Sequence, residues 1–155
     1  MRCLSWSRGV LALAILSLPS GARGAELPQY VKGPISGQIY DCQQAKQRAP
    51  PASAYVTSSD LDGDGQPDFV VDLGRGCKSN RDLYCNDEGC TIDVYLSSQS
   101  GLGLTMKARS FRVVKDGTRN VLEVIRGGAA CAGLPGGVCV STFVYDGKEQ
   151  LVPKR

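Results

Sequence analysis

The sequence predicts a small, mainly β domain: an antiparallel sheet of hairpins with a short N-terminal helix, stapled by disulfides. Three observations predict this fold class. Short runs rich in Val, Ile, Thr, Phe and Tyr recur from residue 68 onwards, and such residues favour strands. Glycine-rich segments separate these runs, as turns do in hairpins. Every cysteine except Cys3 follows a segment typical of export, where disulfides form.

Residues 1–22 have the layout of a secretory signal peptide. Two arginines precede an apolar run at residues 9–18, and small residues follow Pro19, so cleavage is expected after Ala22 or Gly24. The apolar run is too short for a transmembrane helix, which needs about 20 residues. We therefore expect a periplasmic or secreted protein without a membrane span. A buried N-terminal helix is the alternative interpretation of residues 1–22.

The mature chain is expected to be close to neutral. The full chain carries 18 basic and 15 acidic residues. Because residues 1–22 contain two of the basic residues and none of the acidic ones, the mature chain is left with 16 against 15. A nearly neutral chain gives no reason to expect nucleic acid as a partner. We expect a monomer whose partner is a protein or another component of the cell envelope.

Along the mature chain, a loose start precedes a strand-rich remainder. Residues 23–39 contain glycine and proline and are expected to form a flexible lead-in, while residues 40–155 form one β-rich domain. A short helix is expected at residues 40–47, carrying Cys42, because the prolines of RAPPAS cannot continue a helix. The strands are expected in DFVVDL, CTIDVYLS, LTMKARSFRVV, NVLEVI and VCVSTFVYDG, paired mostly antiparallel.

A weak internal repeat predicts one disulfide. DFVVDLGRGC leads through a loop to CTIDVYLSSQSGL, and VLEVIRGGAAC leads through a loop to CVSTFVYDGKEQL. Each unit therefore contains a strand, a glycine-rich corner, a cysteine, a loop, a second cysteine and a strand. Antiparallel neighbours bring Cβ atoms to about 4.5–5.5 Å, near disulfide geometry. We expect Cys131 to pair with Cys139, and loop-closure entropy gives such a small ring about 2.5 kcal/mol.

The four remaining cysteines are assigned by analogy with that unit. Cys77 would pair with Cys90, which leaves Cys42 for Cys85 and ties the helix to the sheet. Four cysteines allow three connectivities, so the alternatives stay open. Zinc is not expected at these thiols, since the sequence has no C-x-x-C pair and no histidine.

The stretch TSSDLDGDGQPDFVVDLG contains the candidate metal site. Aspartates alternate along a tight turn, and two glycines permit the backbone angles that such a turn needs. Calcium prefers six to eight oxygen ligands in flexible geometry, and a cation would turn the repulsion between these carboxylates into attraction. A plain Asp/Gly surface turn without metal is the alternative. The expected ligands are the side chains of Asp60, Asp62, Asp64 and Asp68 and the carbonyl of Gln66.

The spacing D-x-D-x-D-G matches the first half of an EF-hand loop, but Val71 stands where an EF-hand has its glutamate. The segment instead resembles the calcium loop of FG-GAP (integrin-alpha-type propeller) repeats over residues 57–104, with a fainter echo at residues 121–151. The resemblance implies the same calcium ligands, followed by a strand. A propeller needs at least four blades, so one or two blade-like units are the most that this chain can hold. The whole chain also resembles small exported bacterial proteins with this loop and several cysteines, which implies no activity.

The sequence indicates no catalytic or cofactor-binding residues beyond the calcium ligands. Without histidine, Ser-His-Asp and Cys-His nucleophile systems are excluded. The expected function is a calcium-stabilised binding or scaffolding module, not an enzyme. An inhibitor of an extracellular hydrolase, presenting a disulfide-held loop at residues 78–89, is the alternative. A hydrolase that uses only carboxylates, such as Asp82, Asp87 and Glu88, ranks last.

Overall fold

The structure is a computed structural model that describes residues 26–99, 101–148 and 151–154. The predicted signal peptide and its cleavage sites lie outside the described residues. Within the described ranges, no helix is both long enough and apolar enough to cross a membrane.

The described part of the chain forms two antiparallel sheets, which confirms the predicted mainly β class. Sheet A contains β1 (Val56–Ser59), β2 (Asp68–Asp72), β3 (Cys85–Asn86), β4 (Gly89–Leu96) and β5 (Gly101–Ala108). Sheet B contains β6 (Ser110–Asp116), β7 (Arg119–Gly127), β8 (Val138–Tyr145) and β9 (Leu151–Pro153). The strand order is β1-β2-β4-β5 in sheet A, with β3 beside the start of β4, and β6-β7-β8-β9 in sheet B. In these ranges no sheet closes into a barrel or a propeller.

The central strands of sheet A, β2 and β4, are buried on both faces. On one face Val70 shares a core with Leu122 of sheet B. On the other face Val71 shares a core with Ile35 of helix α1 (Gln29–Gln44). Successive side chains along a strand point to opposite faces, so an apolar run without alternation fills both cores. The molecule therefore has three layers: helix, sheet A and sheet B.

Helix α1 is longer than the sequence predicted. Residues 29–39, expected within a flexible lead-in, are helical, and the helix ends at Gln44. The glycines and the proline in this stretch lower helix propensity, but burial of one helical face against sheet A outweighs them. The buried residues of the helix follow the spacing of a single face: Val31, Ile35, Gln38 and Cys42.

The predicted pairing of Cys131 with Cys139 is confirmed, with 5.5 Å between their Cα atoms. The other two predicted pairings, Cys77 with Cys90 and Cys42 with Cys85, are wrong. Cys85 pairs instead with Cys90. Strands β3 and β4 form a tight hairpin that places these two residues directly opposite each other in the register. A cross-strand partner five residues away was therefore closer than any partner on the helix.

The third disulfide joins Cys42 of α1 to Cys77, which lies just before helix α2 (Lys78–Tyr84). Asn80 of α2 donates hydrogen bonds of 2.8 Å from Nδ2 to the backbone and side-chain oxygens of Gln38 on α1. These buried polar contacts and the disulfide hold the two helices together. The analogy with the second repeat unit failed because residues 78–86 fold into a helix and an extra strand rather than one open loop.

Candidate metal centre

The acidic loop connects β1 to β2 at one end of sheet A. Two of its residues, Gly63 and Gly65, have φ angles of 84° and 83°. Residues with a Cβ rarely adopt such angles, which explains the glycines between the aspartates.

The loop is held by hydrogen bonds from its own backbone to its carboxylates. The Asp60 carboxylate accepts the N–H of Gly63 at 2.7 Å on Oδ1 and the N–H of Gly65 at 3.1 Å on Oδ2. Asp62 accepts the N–H of Asp64 at 3.1 Å on Oδ1. Short polar side chains that bond to nearby N–H groups are typical of tight turns. The conformation is therefore specified by the aspartates themselves.

Asp68 anchors the loop from the inside. Its side chain is fully buried, and its Oδ2 accepts the N–H groups of Leu61 at 2.6 Å and Asp62 at 3.1 Å. Its Oδ1 accepts the N–H of Ser97 at 2.7 Å, just beyond the end of β4. Burial raises the pKa of Asp68 above its ordinary value; the hydrogen bonds from Ser97 and Leu61 oppose this rise, and the neighbouring charge of Asp62 adds to it. A buried carboxylate in this position favours a nearby positive charge.

Three carboxylates converge on one point. One oxygen from each of Asp60, Asp62 and Asp68 lies within 4.8 Å of the other two. Ligands on opposite sides of a calcium ion stand roughly 4.6–5.2 Å apart, twice the Ca–O distance, and other ligand pairs are closer. The three side chains can therefore share one cation. In addition, Asp62 Oδ2 is buried and accepts no hydrogen bond from the described residues.

The structure does not bring all the predicted ligands together. Asp64 lies outside the three-carboxylate cluster, and it and Gln66 are exposed. The Asp64 carboxylate accepts the N–H of Gln66 at 2.7 Å and the hydroxyl of Ser97 at 2.9 Å. Its oxygens are thus turned towards hydrogen-bond donors. Of the predicted ligands, the structure brings the side chains of Asp60, Asp62 and Asp68 together.

Two residues of this site were missed by the sequence analysis. Ser97 contacts both Asp64 and Asp68, and Asn120 of sheet B donates a 2.6 Å hydrogen bond from Nδ2 to the backbone carbonyl of Asp60. Both are far from the loop in sequence, so no local motif contains them. Beside the loop, a cleft of about 470 Å³ opens between Asp62 and the β6–β7 and β8–β9 turns.

The other carboxylates singled out in the sequence lie elsewhere. Asp82 is exposed on α2, and Asp87 and Glu88 form the turn between β3 and β4. Among the described residues, three acidic side chains have converging oxygens, and these belong to Asp60, Asp62 and Asp68. The segment expected as a disulfide-held loop consists of helix α2 and the β3–β4 hairpin.

No protein-family model matches the chain, and no curated protein or solved structure matches it. The resemblance of the acidic loop to an FG-GAP repeat stays a prediction.

Proposed function

We propose that this chain is a small exported binding or scaffolding module stabilised by one calcium ion. Its partner would be a protein or another component of the cell envelope, met in the periplasm or outside the cell. The three disulfide-bonded pairs are compatible with an extracellular location. Disulfides persist in such oxidising compartments.

The observation that carries the calcium proposal is the state of Asp62 Oδ2. This carboxylate oxygen is buried, and no described residue donates a hydrogen bond to it. A buried charged oxygen without a partner is costly, and oxygens of Asp60 and Asp68 lie within 4.8 Å of the Asp62 ligand oxygen. A cation held by these three side chains would satisfy the oxygen and offset the repulsion among the carboxylates. Calcium fits this donor set because it binds carboxylates and tolerates irregular geometry.

The alternative is a metal-free acidic turn. The hydrogen bonds within the loop hold its shape in either case, so they do not separate the two interpretations. The two interpretations differ in how the removal of one carboxylate changes the free energy of unfolding. Without a cation, removal of one carboxylate should relieve repulsion; with a cation, the same removal should take away a ligand.

Thermal unfolding with calcium and with a chelator tests the proposal. A site with a dissociation constant of ~0.1 mM, in the presence of ~1 mM calcium, adds about 1.4 kcal/mol to the free energy of unfolding. For a domain of this size, that raises the melting temperature by roughly 4 °C. We expect chelation to lower the melting temperature by about this amount and calcium to restore it.

Two variants make the test specific. Asp62→Ala should abolish the response to calcium, because it removes the carboxylate whose buried Oδ2 accepts no hydrogen bond from the described residues. Asp87→Ala removes the same charge from an exposed turn outside the loop and should keep the full response. If calorimetry detects no calcium binding and chelation leaves the wild-type melting curve unchanged, the loop is a metal-free turn.

Export of the chain is tested separately. The predicted signal peptide implies a mature protein that begins near Arg23 or Ala25. N-terminal sequencing of protein recovered from the envelope or the medium should find one of these starts. Recovery of protein that retains Met1 from the cytoplasm would exclude export.

A further inference from the structure

We propose that a second cleft, lined by Arg75, Arg81 and Arg109, binds a carboxylate group carried by an acidic segment of a partner protein. The cleft lies where helix α2, sheet A and the β5–β6 connection meet, away from the acidic loop, and its volume is about 240 Å³. The inference goes beyond the proposed function because it identifies the chemistry of the partner and does not involve calcium.

The charge of the cleft selects an anion. Three arginines line it, and the only carboxylate among its described lining residues is that of Asp72. That carboxylate accepts a hydrogen bond from Arg75 Nε at 3.2 Å and from the N–H of Gly74 at 2.9 Å. It therefore neutralises one of three positive charges. The planar fork of a guanidinium matches a carboxylate with two parallel hydrogen bonds.

Two of the arginines are held in place with donors to spare. Arg75 donates Nε to Asp72, which leaves its two terminal nitrogens available. Arg109 donates Nη2 to the backbone carbonyl of Asp87 at 3.0 Å, and its guanidinium lies so close to Gly127 that a Cβ there would be 2.1 Å from Nε. A guanidinium has five N–H donors, so each of these groups keeps most of its hydrogen-bonding capacity. Less side-chain entropy is lost on binding when the donors are already positioned.

Arg81 differs from the other two. It is exposed on α2, and its guanidinium makes no hydrogen bond or ion pair with another described residue. It is therefore the arginine that can be replaced with the least effect on the fold.

The apolar residues of the cleft narrow the choice of anion. Ile92, Ala108 and Phe111 line it beside the disulfide of Cys90; Ile92 and Ala108 are almost fully buried, and Phe111 is partly exposed. The volume is below the roughly 300 Å³ at which small-molecule pockets begin, but it is sufficient for one side chain. The methylene groups of a glutamate side chain can pack on the exposed part of Phe111 while its carboxylate meets the arginines. Free phosphate or sulfate has no apolar part to place there.

The test uses a fluorescein-labelled peptide of alternating glutamate and leucine, with a glutamine–leucine peptide of equal length as the uncharged control. Fluorescence anisotropy should detect binding of the glutamate peptide to the full chain and not of the glutamine peptide. We expect Arg81→Gln to weaken binding about fivefold and Arg75→Gln with Arg81→Gln to weaken it about tenfold or more. Arg48→Gln, an exposed arginine outside the cleft, is the matched control and should change the affinity by less than about twofold.

Competition with inorganic phosphate distinguishes the two sources of negative charge. The peptide should bind in the presence of excess phosphate. If phosphate displaces it completely, the cleft is a site for small oxyanions and the proposal is wrong. The proposal is also overturned if the glutamate peptide does not bind, or if Arg48→Gln weakens binding as much as Arg81→Gln.

The measurement is repeated with calcium and with a chelator. Peptide binding that persists in both, without a calcium effect on melting, would support this cleft and contradict calcium stabilisation. A calcium-dependent melting temperature without peptide binding would support calcium and contradict this inference. Melting curves of the arginine variants show whether each variant is folded.

Discussion

The two sheets differ in how many of their faces are covered. Sheet A lies in the middle, packed on helix α1 through Val71 and on sheet B through Val70. Sheet B is covered on one face, and its other face exposes Ile125, Val138 and Val140. Yet the strand sequences look alike, because DFVVD in β2 and VCVSTFVY in β8 are both rich in β-branched residues. An apolar strand sequence therefore indicates a strand, but it does not show how many faces are buried.

The helical layer covers the face of sheet A that lies opposite sheet B. The layer is cross-linked by the Cys42–Cys77 disulfide and by Asn80, whose side chain bonds to Gln38. Sheet B has the Cys131–Cys139 disulfide at the corner between β7 and β8. The two disulfides close rings of very different size, and this leads to the largest expected effect.

Removal of the Cys42–Cys77 disulfide should destabilise the fold more than removal of Cys131–Cys139. The cysteines are 35 residues apart in the first pair and 8 in the second. Loop-closure entropy assigns about 3.8 kcal/mol to the longer ring and about 2.5 kcal/mol to the shorter one. Urea unfolding of the two double Cys→Ala variants, compared with wild type, measures both. An equal or larger loss for the Cys131–Cys139 variant would show that the helical layer contributes less than its burial implies.

The two faces of sheet B can be compared by making the same Val→Ala substitution once on each face. Val124 of β7 is fully buried in the core between the sheets, whereas Val140 of β8 is 61% exposed on the opposite face. Val124→Ala should cost about 2 kcal/mol, from two lost methylene equivalents and the cavity that remains. Val140→Ala should change the free energy of unfolding by about 0.5 kcal/mol or less.

Urea titration measures this difference as well. A cost for Val140→Ala that approaches the cost for Val124→Ala would mean that the outer face of sheet B is covered in solution.

Alkaline pH should destabilise the helix-facing side of sheet A. Burial first, and then the charge and hydrogen bonding of Asp93, raise the pKa of Tyr95 from 10.0 to about 12. Because the unfolded chain loses this proton at lower pH than the folded chain, stability falls as pH rises from about 10 to about 12. With a pKa of 10.0 in the unfolded chain and about 12 in the folded chain, ionisation of Tyr95 lowers the free energy of unfolding by about 1.4 kcal/mol near pH 11.

Tyr95→Phe should remove this part of the alkaline loss. The comparison is between urea titrations of wild type and variant at about pH 9 and about pH 11. Tyr40→Phe, at an exposed position on α1, is the control and should follow wild type. If Tyr95→Phe loses as much stability as wild type between these two pH values, Tyr95 does not contribute to the alkaline transition.

The fold class, most strands and one disulfide could be predicted from the sequence because they depend on local patterns. The acidic loop was also found in this way, since alternating aspartates and glycines specify a turn. The N-terminal half of α1 could not be predicted, because Pro34 and its neighbouring glycines argue against a helix that only packing on sheet A stabilises. The Cys42–Cys77 pair depends on how α2 folds, and Asn120 reaches Asp60 from 60 residues away.

The smallest expected effect concerns the contact between the sheets at the acidic loop. Asn120 of sheet B donates a 2.6 Å hydrogen bond to the carbonyl of Asp60, and this contact is partly buried. Asn120→Ala should lower the free energy of unfolding by about 1 kcal/mol, because a carbonyl loses its partner. The three converging carboxylates stay in place, so the melting temperature should still respond to calcium.

Ser97→Ala gives the matched measurement on the side of sheet A. It removes an exposed hydroxyl bonded to Asp64 but keeps the Ser97 N–H bond to Asp68, so it should cost about 0.5 kcal/mol or less. Hydrogen exchange at the Gly63 and Gly65 amides should quicken in Asn120→Ala, since both donate to the side chain of Asp60. If exchange and stability are unchanged in Asn120→Ala, the loop is positioned by sheet A alone, through Asp68, and the two sheets are joined at this end by their apolar core.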